Sequence, residues 1–283
     1  MEAVGEQGAV VVGYTGLDRI VHNGKYMGAV AGGAAYYALI GARAMSTSVS
    51  IVTQVGGADM QLLRAIQAAS PKCSHVQVVP GEAPRFDVQY VDAQESSSSP
   101  IVRAHWHPLF PQLNIRTWAE SVRGVRVVVV ATAPPREQLE WMAQVRTHVH
   151  PNPVCVLLTN ALVFDSREIT AAFRAADVVC VNSREWAMAR QVLKDCRRVI
   201  VTRGAQGAEV VRSGRKAYKC AAPKTSCIDP TGAGDVLAGA FAGGIAEGQG
   251  EEDALMRGIV LASVSVSQVG VEHLLKELPQ HGG

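Results

Sequence analysis

Short, uninterrupted apolar runs alternate with helix-like segments along most of this chain, and this alternation restricts the fold more than any other feature. Such a run, closed by a small or polar residue, is typical of a strand that is buried on both faces. The strand-like runs lie at 9–13, 48–52, 125–131, 154–158, 178–181 and 199–202. Segments with helical spacing lie at 34–44, 60–69, 136–145, 166–175 and 185–193. The alternation predicts an α/β fold with a mostly parallel central sheet and helices on both of its faces.

Two regions interrupt this alternation. The first is punctuated by glycines, and the second includes Phe86–Val91, whose alternating pattern has one polar face. Both regions predict a small antiparallel sheet that lies outside the main layers. Because no linker-like segment divides the chain, we expect a single domain over residues 1–283, with the small sheet carried by segments of about 14–31 and 76–106.

Composition narrows the classes of protein to which the chain can belong. Hydrophobic residues make up 48% and charged residues 18%, which is typical of an ordinary globular protein. The net charge of +2 gives no electrostatic basis for nucleic acid or a membrane surface as the main partner. No apolar run is long enough to cross a bilayer, and the first residues lack the basic start and apolar core of a secretory signal. The six cysteines form no Cys-x-x-Cys pair, so we expect a reduced, cytoplasmic protein.

The stretch from Asp229 to Asp235 carries the strongest chemical signal. Gly232 and Gly234 lack a Cβ, so the backbone can turn sharply and approach a ligand closely. The apolar residues that follow have helical spacing, and the first N–H groups of a helix have no partner within it, so they can hold a phosphate. Asp235 would lie in the first turn, where a carboxylate can take a proton from an attacking hydroxyl. The same residues also fit a tight turn with an acidic partner for the helix dipole, and both interpretations stay open for this stretch alone.

The stretch resembles the C-terminal signature Asp-Thr-x-Gly-Ala-Gly-Asp of the ribokinase-like (PfkB) sugar kinases, from which it departs at Pro230. The resemblance implies a three-layer α/β sandwich in which the small sheet forms a lid over the substrate. It also implies that Asp235 is the catalytic base. The backbone of Gly232, Ala233 and Gly234 would then form the anion hole for the transferred phosphoryl group.

The family resemblance further implies the cofactors of the reaction. ATP would be the phosphoryl donor, and Mg²⁺ would accompany its phosphates. In many members a monovalent cation such as K⁺ lies near the first acid of the signature. Asp229 and the carbonyl of Thr231 would hold that cation here, although Pro230 changes the local sequence.

Two further motifs resemble the nucleotide-binding motifs of the family. Asn182 and Glu185 follow a strand and open a helix. Their spacing alone fits an N-cap with its capping box. In the family the same pattern helps to hold Mg²⁺ and the phosphates, largely through water. Thr202, Gly204 and Gly207 match the pattern Thr-x-Gly-x-x-Gly, which lines the phosphates and ribose in the family. A hairpin turn explains this second motif equally well.

The acceptor side of the site is expected near the N-terminus. Asp18 follows the first strand, and in the family an acid at this place accepts hydrogen bonds from two substrate hydroxyls, a task that suits the two oxygens of a carboxylate. The alternative role for Asp18 is that of a turn residue. Gly32 and Gly33 match the family's glycine pair, but Ala34 replaces the Asn that touches the substrate in many members. Arg103 is a candidate contact for the polyol or the γ-phosphate, with a surface role as the alternative.

Within the family, the chain is most similar in appearance to inositol kinases, which implies ATP-dependent phosphorylation of a small polyol, with myo-inositol as the first candidate. Two alternatives stay open. The first is a nucleoside kinase in which Tyr36, Tyr37 and Trp106 stack on a base. The second is a non-catalytic sugar-sensing relative, against which the intact Asp235 argues. We expect a monomer or homodimer that binds no nucleic acid and no membrane.

Overall fold

The strands and helices lie close to the positions that the sequence predicts. The computed structural model describes residues 8–70, 74–90, 101–105, 111–115, 118, 124–149, 152–159 and 166–277. Its strands are β1 (Ala9–Val12), β2 (Gly16–His22), β3 (Lys25–Gly32), β4 (Val49–Gly56), β5 (Ser74–Val79), β6 (Arg85–Tyr90), β7 (Ile101–His105), β8 (Val127–Val130), β9 (Val154–Leu158), β10 (Val178–Asn182), β11 (Val199–Thr202), β12 (Ala208–Arg212) and β13 (Arg215–Cys220). Its helices are α1 (Ala34–Met45), α2 (Met60–Ala69), α3 (Pro135–His148), α4 (Ser166–Ala175), α5 (Ser183–Leu193), α6 (Ala233–Ala246) and α7 (Glu251–Ser265).

A nine-stranded sheet forms the centre of the molecule, in the order β13-β12-β11-β10-β9-β8-β1-β4-β5. Neighbouring strands from β11 to β5 pair in parallel, and only the β11–β12–β13 edge is antiparallel. The carboxyl ends of the parallel strands therefore meet at one edge, where open α/β sheets bind their ligands.

Helices cover both faces of this sheet because its strands are apolar on both sides. In β1, Ala9 and Val11 pack in one core with α1, α2, α6 and α7. Val10 and Val12 pack in the other core with α3, α4 and α5. This arrangement confirms the predicted three-layer α/β sandwich.

The small sheet has the order β3-β2-β6-β7. It is mixed rather than antiparallel, because β2 and β6 pair in parallel. The prediction that the segment from residue 76 belongs to this sheet is wrong at its start, since β5 pairs with β4 at the edge of the large sheet. An edge strand with one covered face has the same alternating pattern as a strand of the small sheet, so periodicity cannot separate the two. Residues 91–100 and 106 lie outside the described residues.

The backbones of α1 and α6 touch. A Cβ built on Gly239 would lie 2.0 Å from the carbonyl oxygen of Ala38, and one on Gly243 would lie 2.6 Å from that of Ala42. The residue numbers in each of these two pairs differ by 201. The same difference separates Ser46 and Glu247 further along, where the Ser46 hydroxyl donates a hydrogen bond to the Glu247 carboxylate. Because the offset is constant, the two helices run parallel and their N-terminal ends lie on the same side.

No helix among the described residues is long and apolar enough to cross a membrane. The five cysteines in the described part of the chain are free thiols, and four of them are buried.

Replacing Gly239 by Ala should lower the free energy of unfolding by about 2 kcal/mol, because the added methyl group forces α1 and α6 apart. Gly234→Ala is the matched control in the same helix, since a Cβ there would meet no atom within 4 Å. We expect the control to keep or slightly raise stability, as helix propensity favours Ala. Urea unfolding measures both variants, and equal stability of the two would contradict the close contact.

Candidate active site

The start of α6 has the geometry of an anion site. Gly232 is the N-cap with φ 73°, and a Cβ there would lie 2.3 Å from the Tyr37 ring, so conformation and space both require glycine. Gly234 is exposed, and a Cβ there would meet no atom within 4 Å. Open space thus adjoins the first turn, where the positive end of the helix dipole attracts anions. Of the N–H groups there, that of Ala233 donates to the Pro230 carbonyl at 3.3 Å.

Asp235 lies in that first turn. It keeps some contact with solvent although it lies deep in the fold. Burial, followed by the negative charges of Asp18 and Glu185, raises the pKa of Asp235 from its ordinary value of 3.8 to about 8. A carboxyl group that titrates near neutral pH is well matched to proton transfer.

Asp18 is a buried carboxylate on β2 that contacts the start of α1. It is 3% exposed; Oδ1 accepts the Gly33 N–H at 3.1 Å, and Oδ2 accepts the Tyr37 hydroxyl at 2.6 Å. Its carboxyl group lies against Gly32, where a Cβ would be 2.3 Å from Cγ. Burial outweighs both hydrogen bonds and raises the pKa of Asp18 to about 7, with smaller contributions from other acids. Ala34 follows as the first residue of α1 and presents only a methyl group.

Tyr37 connects these two features, and the sequence gives no signal for that role. Its hydroxyl bonds to Asp18 while its ring packs against Gly232. The acceptor-side acid and the anion-binding turn are therefore in contact with one side chain. Tyr36 is fully buried and Tyr37 is 2% exposed, so neither ring has an open face for stacking on a base. Trp106 lies outside the described residues.

Asn182 and Glu185 form the capping box that their spacing predicts. The Asn182 side chain accepts the N–H groups of Arg184 at 3.0 Å and Glu185 at 2.9 Å, and the Glu185 carboxylate accepts the Asn182 N–H at 2.8 Å. Asn182 pairs with Thr202 in the β10–β11 register, so both residues stand at the carboxyl ends of neighbouring strands. Asp235 is close enough to β10 to affect it electrostatically. Burial, followed by the negative charge of Asp235, raises the pKa of Cys180 on that strand.

The loop after β11 is a tight turn that depends on two glycines. Gly204 begins a single 3₁₀ turn with φ 53°, and Gly207 follows with φ 87°. A Cβ on Gly207 would lie 2.1 Å from the carbonyl oxygen of Cys220, so the turn packs directly on the neighbouring chain. Thr202 and this turn border the same sheet edge as Asn182.

Asp229 connects the signature to the segment that follows α7. Its side chain is 1% exposed; Oδ1 accepts the Thr231 N–H and Oδ2 accepts the Gly270 N–H, each at 3.0 Å. The loop from residue 229 to residue 235 is thereby fixed at its first residue.

Arg103 is not brought to the site. It lies on β7 opposite Asp87, on the face of the small sheet that carries the exposed Arg19. Asp18 points to the other face. The other site residues named above lie at one edge of the large sheet. Among the described residues, no group of three or more His, Cys, Asp or Glu side chains forms a metal cluster.

Comparisons with known proteins agree with this arrangement. The profile of the pfkB family of carbohydrate kinases matches residues 7–278. The cytidine kinase of Thermococcus kodakarensis is 25% identical to this chain over 269 residues, which cover 88% of the chain and 92% of that kinase. The inositol 3-kinase of Zea mays is 40% identical, but over 73 residues that cover 26% of the chain and 19% of that kinase.

The solved structures agree on the fold. The ribokinase of Cryptococcus neoformans var. grubii, in complex with ADP, superposes with a TM-score of 0.76 at 17% identity, and the match covers 97% of each chain.

The raised pKa of Asp235 predicts how stability depends on pH. Since the folded state holds this proton more tightly than the unfolded state, stability falls as pH rises from 3.8 towards about 8. Asp235→Asn removes the charge, so in metal-free buffer it should melt at least about 3 °C above the wild type at pH near 9 and lose that advantage near pH 4. Asp253→Asn, in the exposed first turn of α7, is the control and should lack the alkaline gain. Equal melting of Asp235→Asn and wild type at pH 9 would contradict the electrostatics.

Proposed function

The chain belongs to the pfkB family of carbohydrate kinases, and we propose that it transfers the γ-phosphoryl group of ATP to a hydroxyl group of a small polyol. One observation carries the proposal: Asp235 lies in the first turn of α6, and the charges of both Asp18 and Glu185 add to burial in raising its pKa. Asp235 is therefore within electrostatic reach of both the proposed hydroxyl-binding acid and the proposed nucleotide side, which supports a role as the proton acceptor in phosphoryl transfer.

The nucleotide occupies the edge formed by β10, β11 and the start of α6. Asn182, Thr202, Gly204 and Gly207 border its phosphates and ribose. Gly232 and Gly234 contribute backbone N–H groups to the terminal phosphate. The positive end of the α6 dipole favours the negative charge there.

Mg²⁺ fits the nucleotide side because negative charge accumulates there. Glu185 is 4% exposed, and its charge helps to raise the pKa of Asp235. Asn182 and Glu185 would hold the ion, mostly through water, as Mg²⁺ keeps several waters and uses few protein ligands. When bound, the ion neutralises charge on the phosphate oxygens.

A monovalent cation such as K⁺ belongs to the same proposal, at Asp229 and the carbonyl of Thr231. Each Asp229 oxygen accepts one backbone N–H, and a carboxylate oxygen has a further lone pair for a cation. Such an ion would restrain the loop that begins at Asp229.

The chemical step moves one proton and one phosphoryl group. Asp18 and the Gly32–Gly33 turn orient the acceptor, and Asp235 takes its hydroxyl proton as the oxygen forms a bond to the γ-phosphorus. The bond from that phosphorus to the bridging oxygen breaks, and ADP leaves. The N–H groups at Gly232–Gly234 stabilise the charge on the equatorial oxygens, and the small sheet excludes water, which competes as an acceptor.

The acceptor is a polyol, with myo-inositol or a related cyclitol or sugar as the first candidate. A nucleoside is the second candidate, and it is supported by the match to a cytidine kinase, which covers 88% of the chain, whereas the match to an inositol 3-kinase covers 26%. A sugar-sensing relative without activity is disfavoured because Asp235 and the open turn at Gly234 are both in place.

Asp235→Asn should lower kcat by about 10³-fold, because it removes the base and leaves the anion site in place. Nucleotide affinity, measured by calorimetry with MgADP, should change by less than about threefold. Asp253→Asn provides a control with the same change of charge at the exposed start of α7, which lies beside the opposite end of α6. Near wild-type turnover by Asp235→Asn would refute its role as the base.

A panel of acceptors identifies the substrate class. We expect ADP release, coupled to NADH oxidation, with at least one of myo-inositol, ribose, cytidine and adenosine, and Asp235→Asn serves as the blank for contaminating ATPase. A higher kcat/KM for myo-inositol or ribose supports the polyol, and a higher value for cytidine or adenosine supports the nucleoside. Polyol binding without turnover would overturn the kinase proposal in favour of the sensor.

A further inference from the structure

The far end of the small sheet reaches the signature loop, residues 229–235. His22 ends β2 and Tyr90 ends β6, and the two residues are partners in the parallel register. The Asn23 N–H donates to the Tyr90 carbonyl at 2.9 Å, which closes this end of the sheet. Both side chains lie on the inner face, the same face as Asp18.

Tyr90 makes a direct polar contact with the signature loop. Its hydroxyl lies 3.0 Å from Oγ1 of Thr231, and the two residues are 2% and 8% exposed. Thr231 immediately precedes Gly232, the N-cap of α6. The phenol therefore holds the loop one residue before the turn whose N–H groups face the anion site.

His22 faces the first acid of the same loop. Its ring meets the Tyr90 ring edge-on, with centroids 4.9 Å apart. Its Nε2 lies 3.9 Å from Oδ1 of Asp229, and this nitrogen is buried without a hydrogen-bond partner among the described residues. An approach of about 1 Å would convert the contact into a hydrogen bond and satisfy the nitrogen.

The signature loop needs such external restraint. It contains Gly232 at positive φ and Gly234 beside open space, and glycine backbone is the least restricted of any residue. Loosening the loop moves the N–H groups of the anion site, and displacements of about 1 Å in a site of this kind can cost two orders of magnitude in rate.

We propose that Tyr90 and His22 are positioning residues for phosphoryl transfer. Tyr90 holds the signature loop through Thr231 at all times, whereas His22 completes its hydrogen bond to Asp229 only when the small sheet moves in over a bound acceptor. The small sheet thus shapes the anion site as well as covering the substrate. This inference rests on the proposed kinase activity.

Tyr90→Phe tests the permanent contact, because it keeps the ring against His22 and removes only the hydroxyl. We expect kcat to fall about tenfold with the best acceptor of the panel, while KM for ATP changes less than about twofold. Hydrogen exchange of the amides in residues 229–236, followed by mass spectrometry without ligands, should accelerate at least about threefold. Tyr26→Phe is the control, a tyrosine on β3 of the same sheet that is 54% exposed.

His22→Phe and His22→Gln test the second contact. His22→Phe keeps the ring contact and loses the nitrogen, so kcat should fall while exchange of the loop without ligands stays as in the wild type. His22→Gln retains a donor and should restore most of the lost kcat. A purely structural role would instead raise loop exchange in the ligand-free His22→Phe protein, which would overturn this part of the proposal.

The outcomes separate this inference from the kinase proposal. If an acceptor is turned over but Tyr90→Phe keeps wild-type kcat and loop exchange, the positioning role is wrong and the kinase proposal stands. If no acceptor is turned over, the kinase proposal fails, and with it the positioning role of both residues in phosphoryl transfer. Should Tyr90→Phe fail to fold, Thr231→Val removes the same hydrogen bond from the other side and must give the same two effects.

Discussion

The backbone contact between α1 and α6 is the constraint on which the site depends. Side chains normally hold helix axes well apart, but glycine at positions such as Gly239 brings the α6 backbone against the carbonyl of Ala38. The helices run parallel, so the Gly32–Gly33 turn and the signature loop emerge next to each other at one edge of the large sheet. Tyr37 can then bond to Asp18 and pack on Gly232 with a single side chain.

The electrostatics of the site follow from this closeness. Burial raises the pKa of Asp18 and of Asp235 well above the ordinary range. The charges of Asp18 and Glu185 add to this rise at Asp235, and those of Asp229 and Glu272 add to it at Asp18. Such an arrangement destabilises the empty protein at alkaline pH, and in the proposed reaction it would supply a proton acceptor near neutral pH. Under the proposed function, cations that accompany ATP would offset part of the repulsion, so substrate binding would be linked to stability.

Local signals predicted the parts of this structure that are local. The apolar runs predicted the strands, and the spacing of Asn182 and Glu185 predicted a capping box. The apolar spacing after the signature predicted a helix with Asp235 in its first turn. Contacts between distant segments were not predictable in this way. The roles of Tyr37, Tyr90 and His22 depend on which residues the fold brings together, and alternation along β7 does not reveal that Arg103 points to the outer face.

A crystal structure of the chain with Mg²⁺, ADP and aluminium fluoride tests the central claim most directly, because the fluoride adopts the place of the transferred phosphoryl group. We predict that its fluorine atoms lie about 2.7–3.1 Å from N–H groups at Gly232–Gly234, with Asp235 facing the side opposite to ADP. A fluoride bound away from the start of α6, or an Asp235 carboxylate turned from the acceptor side, would contradict the account.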